Sequence, residues 1–168
     1  MTSIKQRLLS FFRHSPRLIA IGYAIWRRFQ AKYSIGAVGV VINSEGRVLL
    51  VEHALHPKYV WGLPGGWVGR NENPAAAVRR ELREELSLDV EIETLLLAET
   101  PFKNHLDLIY LCRANSEIGA LSYELLSYRW FVPNELPKIL DVHHRAIEQA
   151  IQLRQYSFPP EVSGNYVQ

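Results

Sequence analysis

Residues 65–88 read GGWVGRNENPAAAVRRELREELSL. Asn73 followed by Pro74 has the chemistry of a helix cap and first helical position: the Asn side chain accepts from an orphan amide, and Pro has no amide to leave unpaired. The pattern predicts a helix running to about Ser87. Along it Ala75, Val78, Leu82 and Leu86 recur at helical spacing, and Glu81, Glu84 and Glu85 fall within an arc of about 100° beside that apolar stripe. One edge of the helix is therefore a carboxylate cluster. As a solvated face, it would pair Arg80 with Glu84 for only a few tenths of a kcal/mol. As a partly buried one, two carboxylates about 6 Å apart at an effective dielectric near 20 repel by roughly 3 kcal/mol. Repulsion of that size favours a divalent cation or a raised pKa. Donors that are all oxygen point to Mg²⁺ or Mn²⁺.

Upstream, SIGAVGVVI at residues 34–42 and RVLLVEH at 47–53 flank a turn at Asn43 to Gly46, which together predict a β-hairpin. Residues 54–72 are rich in Gly, Pro and aromatics and read as loop and short strand. Downstream, VEIETLLLAE, HLDLIYLCRA and the stretch through Arg129 to Val132 read as strands. A last helix spans about 141–154 with Val142, Ala146, Ile147, Ala150 and Ile151 inward. Near the start, Ser15 and Pro16 open a helix over about 16–31. Leu18, Ile21, Ile25 and Phe29 form its stripe, widened by Ile19, Tyr23 and Trp26. The chain has no internal repeat and no low-complexity segment.

The 168 residues are 48% apolar and 21% charged, a globular balance that excludes a fully disordered chain and a polytopic membrane protein. The single cysteine, Cys112, excludes an intrachain disulfide and agrees with a reducing compartment, so a cytoplasmic location is expected. Charge is unevenly spread: residues 1–33 carry seven Lys and Arg and no acid, against twelve bases and seventeen acids in residues 34–168. The division predicts a basic helical extension over 1–33, a main domain over 34–156 and a tail over 157–168. The longest uncharged apolar stretch of the extension, residues 18–26, has nine residues against about twenty for a bilayer span. Arg7, Arg13 and Arg17 also interrupt what would be the core of a secretory signal. The extension has three fates open to it: packing on the main domain, forming a homodimer, or lying peripherally on an anionic membrane.

The stretch quoted first resembles the Nudix box of hydrolases that act on nucleoside diphosphates linked to another moiety. The box pattern is Gly, five residues, Glu, seven residues, Arg-Glu, an aliphatic, any residue, Glu-Glu, any residue, Gly, an aliphatic. Here the places are Gly66, Glu72, Arg80, Glu81, Leu82, Glu84, Glu85, Ser87 and Leu88, so Ser87 stands where the family has Gly. That Gly closes the helix in a left-handed conformation, which Ser adopts at some cost. The resemblance extends over about residues 34–153 and implies an α/β fold, an alpha/beta/alpha sandwich with a mixed sheet. It implies Glu81, Glu84, Glu85 and the Gly65 carbonyl as ligands of Mg²⁺ (or Mn²⁺), Arg80 as the group that orients Glu81, and Glu72 as a brace for the loop. The implied reaction is attack of water on phosphorus with cleavage of a phosphoanhydride. Glu81 is the candidate base, and Glu124 resembles a position that supplies an extra acidic ligand or base.

The substrate is less legible, because family members read it with loops outside the box. Among Tyr59, Trp61 and Trp67 an aromatic could stack on a base, and Tyr59, Trp67 and Glu124 are taken as candidate substrate contacts. His53, His56 and His105 could touch phosphate. His143 and His144 are neighbours on a helix and cannot form a paired metal site on one face. Pro101 lies thirteen residues after the box, and because family members that cleave ADP-ribose tend to carry a proline slightly further on, the resemblance points only weakly to that substrate and identifies none. The expected substrate is thus a nucleoside diphosphate joined to another moiety, such as ADP-ribose or a sugar nucleotide. Free nucleoside triphosphates, oxidised ones included, are the alternative within the enzyme class, and a non-catalytic nucleotide-binding regulator is the alternative outside it. The main domain lacks basic patches with interleaved aromatics, so nucleic acid is not an expected partner.

Overall fold

In the computed structural model, residues 16–54 and 58–157 are described, and the chain divides between Lys32 and Tyr33 into two compact units. In the first, α1 (Pro16–Arg28) opens on its proline and closes with Arg27 and Arg28 in the last turn, where cations suit the helix dipole. It stops short of the expected residue 31. The Phe29 and Gln30 amides bond back to the Trp26 and Arg27 carbonyls, a tighter turn that ends α-helical bonding. No helix among the described residues is long and apolar enough to cross a membrane.

The second unit is built on strands β1 (Ser34–Val41), β2 (Val48–His53), β3 (Trp61–Gly62), β4 (Gly65–Trp67), β5 (Val90–Phe102), β6 (His105–Ala114) and β7 (Leu125–Phe131). They form two sheets, ordered β4-β1-β6-β5 and β3-β2-β7. The first is mixed, because β1 runs parallel to β6 and antiparallel to β4. The hairpin expected from residues 34–53 is corrected here. Its turn does form, with Asn43 Oδ1 accepting from the Glu45 and Arg47 amides and Gly46 at φ 75°. Only the bridge between Ile42 and Val48 joins the two arms, after which β1 and β2 part into different sheets. Both arms are buried on both faces, so their hydrophobicity did not reveal which strand each would pair with.

Two helices cover the sheets from opposite sides. β1 alternates: Val38 and Val40 enter one core with Val142, Ala146, Ile147 and Ala150 of α3 (Asp141–Ser157), while Ala37 and Val41 enter another with Ala77, Val78, Leu82 and Leu86 of α2 (Pro74–Leu86). β2 repeats the pattern, with Val48 and Leu50 in the first core and Leu49 and Val51 in the second. The period of two thus makes each strand the middle of an alpha/beta/alpha sandwich. α2 begins as its sequence predicts: Asn73 Oδ1 accepts from the Ala75 amide at 2.9 Å and Pro74 follows. It ends on Ser87 at φ 50°, ψ 33°, left-handed, with the Ser87 amide on the Arg83 carbonyl at 3.0 Å. The hydroxyl of Ser87 donates to the Ala120 carbonyl at 3.0 Å, a tether that glycine could not make.

Candidate active site at the edge of the mixed sheet

β4 is an edge strand, and its two glycines bring it close to everything around it. Gly65, at φ 146°, has the Ala37 carbonyl oxygen 2.4 Å from where a Cβ would sit, and a Cβ on Gly66 would lie 2.5 Å from the Glu81 carboxyl. Absent side chains therefore let α2 lay its carboxylates against the strand. Glu85 is 6% exposed and accepts from the Gly65 amide at 3.0 Å. Burial pushes its carboxyl up to about 8, opposed by that amide and reinforced by the charges of Glu81, Glu124 and Glu84. Glu124 lies in the exposed loop before β7, and that loop is tied to α2 by the Ser122 amide on the Glu85 carbonyl at 2.9 Å.

Arg80 organises the other carboxylates. Its guanidinium donates to Glu72 at 2.9 and 3.0 Å, to Glu81 at 2.8 Å, to Glu84 at 3.1 Å and to the Trp67 carbonyl at 3.0 Å. Glu72 is held down at about 2 by Arg80 and by the Gly69 amide, which donates to it at 2.7 Å. Among the described residues no three His, Cys, Asp or Glu side chains are gathered closely enough to hold a metal ion as they stand. Arg80 takes one oxygen each of Glu81 and Glu84, while Glu85 turns to Gly65.

On the other face of the same edge lies a cleft of about 170 Å³. The register explains its lining: Gly36 sits opposite Trp67 on one side and Asp107 on the other, so all three positions share a face. A Cβ on Gly36 would lie 2.2 Å from Asp107 Oδ1, and its absence makes room for the carboxylate. Asp107 is 6% exposed, with His105 Nε2 2.8 Å from its Oδ1. His105 Nδ1 is in turn 2.9 Å from Ser34 Oγ. Desolvation raises the Asp107 pKa and His105 opposes the rise. Trp67, 64% exposed, and Phe102, 48% exposed, stand as rims, their rings 5.0 and 6.1 Å from that of His105. A larger cavity of about 690 Å³ lies at the far ends of α2 and β6, lined by Arg113, Trp130 and Arg154 among others. Its arginines pair with Glu91 and Glu93, and it holds none of the box carboxylates.

Of the expected substrate contacts, Trp67 lines the cleft, Glu124 stands near Glu85, and Tyr59 lies elsewhere, between Lys58 and Lys138 at 5.3 and 5.9 Å. Trp61 packs on the α3 core, its ring 5.1 Å from Phe131. His53, His105 and His143 line the cleft; His143 is buried and accepts from the Leu63 amide at 3.4 Å. His56 lies outside the described residues. Asp107, Phe102 and Gly36 were missed. HLD in an alternating strand does place His105 and Asp107 on one face, but only the register with β1 shows that the face is a cleft.

The NUDIX domain model matches residues 32–151, which contain both the carboxylate helix and the cleft. The chain belongs to this family. As a Nudix protein it is a hydrolase of pyrophosphate bonds, and Nudix hydrolases generally use divalent cations such as Mg²⁺. A MutT-like protein of Streptomyces ambofaciens is 29% identical over 105 residues, 62% of this chain and 67% of that protein. The human 8-oxo-dGDP phosphatase NUDT18 is 30% identical over 130 residues, covering 73% of this chain but only 40% of the relative. Among solved structures, a MutT Nudix hydrolase from Burkholderia pseudomallei is 28% identical with a TM-score of 0.62, over 70% of this chain and 98% of that one.

Proposed function

We propose that this Nudix protein is a Mg²⁺-dependent hydrolase of a phosphoanhydride in a nucleotide, a nucleoside diphosphate joined to another moiety. The observation that carries the reading is Glu85: a carboxylate buried to 6% exposure with three more carboxylates raising its pKa is a site that a cation would relieve. Glu81, Glu84, Glu85 and the Gly65 carbonyl are the oxygen donors that would hold it. The ion, when bound, neutralises charge on the phosphate oxygens. Glu81, aligned by Arg80, takes the proton of the attacking water. Glu72 fixes the loop through Gly69 and holds Arg80 in place from the opposite side. Trp67 offers its exposed face to the base, which the cleft receives, while the phosphates pass round the side-chain-free edge at Gly65 and Gly66 to the carboxylates. Arg80 must release part of Glu81 and Glu84 for this arrangement, and it keeps Glu72 and the Trp67 carbonyl as anchors when it does.

A second reading, hydrolysis of free oxidised nucleoside di- or triphosphates, is favoured by the human relative, an 8-oxo-dGDP phosphatase, and by a Proteus vulgaris relative, an 8-oxo-dGTP diphosphatase. A panel of phosphoanhydrides, ADP-ribose, UDP-sugars and GDP-sugars against 8-oxo-dGDP and 8-oxo-dGTP, assayed with Mg²⁺, separates the two. Turnover that stops on chelation and returns with Mg²⁺ is expected, and undiminished turnover after exhaustive EDTA treatment would refute the metal-dependent reading.

A further inference from the structure

We propose that Asp107 is a specificity residue that reads the nucleobase and selects guanine, an inference that rests on the nucleotide reading of the cleft. At about 170 Å³ the cleft is smaller than the roughly 300–1,000 Å³ that encloses a whole drug-sized ligand. It holds one ring system and leaves the phosphates outside. Trp67 and Phe102 supply exposed aromatic faces at its rim, suited to a flat heterocycle. Of the polar side chains that line it, His53, His105, His143 and Asp107, the last is the carboxylate, and His105, itself bonded to Ser34, fixes it through Oδ1. Among the described residues the other carboxylate oxygen carries no hydrogen bond.

A carboxylate held on one side by His105, in a cleft that admits a ligand, accepts from donors that the ligand presents. Guanine presents two adjacent N–H donors, N1–H and the 2-amino group, and a carboxylate accepts both at once. Adenine sets an acceptor beside its amino group, and uracil flanks its single N–H with carbonyls, so each opposes the carboxylate somewhere along its edge. Hypoxanthine keeps N1–H and lacks the amino group, which makes it the controlled comparison.

Nucleoside monophosphates test this without hydrolysis, since they contain no anhydride. Calorimetry on the full chain should show GMP bound at least about tenfold more tightly than IMP or AMP, about 1.4 kcal/mol. Asp107→Asn turns an amide N–H toward the same donors and should bring GMP and IMP within about threefold of each other. Trp67→Ala, at an exposed position, should weaken GMP and IMP alike and leave their ratio unchanged. Equal binding of GMP and IMP by the wild type, or no binding of either at millimolar concentration, overturns the proposal whatever becomes of the variants. Selective GMP binding with no hydrolysis of any phosphoanhydride would leave the guanine assignment standing and remove the hydrolase reading. Hydrolysis without a guanine preference would do the reverse.

Discussion

Glu85 is where burial and charge pull hardest against each other. Glu85→Gln keeps the side-chain volume and the acceptor for the Gly65 amide while deleting the charge. It should fold normally and retain less than about a tenth of the wild-type kcat/KM with Mg²⁺, a loss above roughly 1.4 kcal/mol of transition-state stabilisation. Glu84→Gln, at an exposed position, should lose less. Stability of the metal-free protein follows the same residue. Its folded value of about 8 lies above the ordinary 4.5, so the folded state retains a proton that the unfolded chain releases. The contribution of Glu85 is therefore full below pH 4.5 and drains away as pH rises toward 8. Thermal melts in EDTA should show the wild type losing stability across that window relative to Glu85→Gln, and added Mg²⁺ should recover the loss in the wild type alone. The box residues were legible because their chemistry is written at fixed spacing on one helix. Asp107 was not, because a polar residue in an alternating strand reads as solvent-facing until its neighbours across the sheet are known.

At the level of elements, the end of α2 shows how a departure from the box is accommodated. Ser87 takes the left-handed turn that glycine would take freely, at a cost of about 1 kcal/mol, and recovers part of it through its hydroxyl on the Ala120 carbonyl. Ser87→Gly should shift stability by less than about 1 kcal/mol, because strain relief and the lost bond offset each other. Gly119 completes the arrangement: a Cβ there would lie 2.8 Å from the Ser87 Cβ. Gly119→Ala should destabilise by about 1–3 kcal/mol, and much of that should vanish in the double variant with Ser87→Gly. A denaturant double-mutant cycle giving a coupling below about 0.5 kcal/mol would show that the two do not meet. Helix starts and stops were readable here from Asn73, Pro74 and Ser87. Sheet partnership was not: SIGAVGVVI and RVLLVEH look like two arms of one hairpin, and only the pairing of β1 with β6 and of β2 with β7, distant in sequence, shows that they lie in separate sheets.

For the whole molecule, both cores, among the described residues, are assembled from positions beyond Tyr33. A chain beginning at Tyr33 keeps all the described core residues and should therefore fold with a cooperative melt and keep its turnover. Cys112 offers a built-in reporter of that integrity, since it is fully buried and burial pushes its thiol up to about 12. Ellman's reagent should leave it untouched in the folded state and react at the rate of global opening in either chain. The central position of β1 has a further effect. Its hydrogen bonds fix β4, with the glycine edge, on one side and β6, with His105 and Asp107, on the other, each about 4.8 Å away. The separation of nearly 10 Å between the two walls is thus set by peptide geometry and not by any side-chain rotamer. In the proposed reading β1 spaces the Gly65–Gly66 edge, where the phosphates would lie, from Asp107, where the base would lie, so a substitution on the β6 wall is expected to change the preferred base while the cleaved bond stays the same.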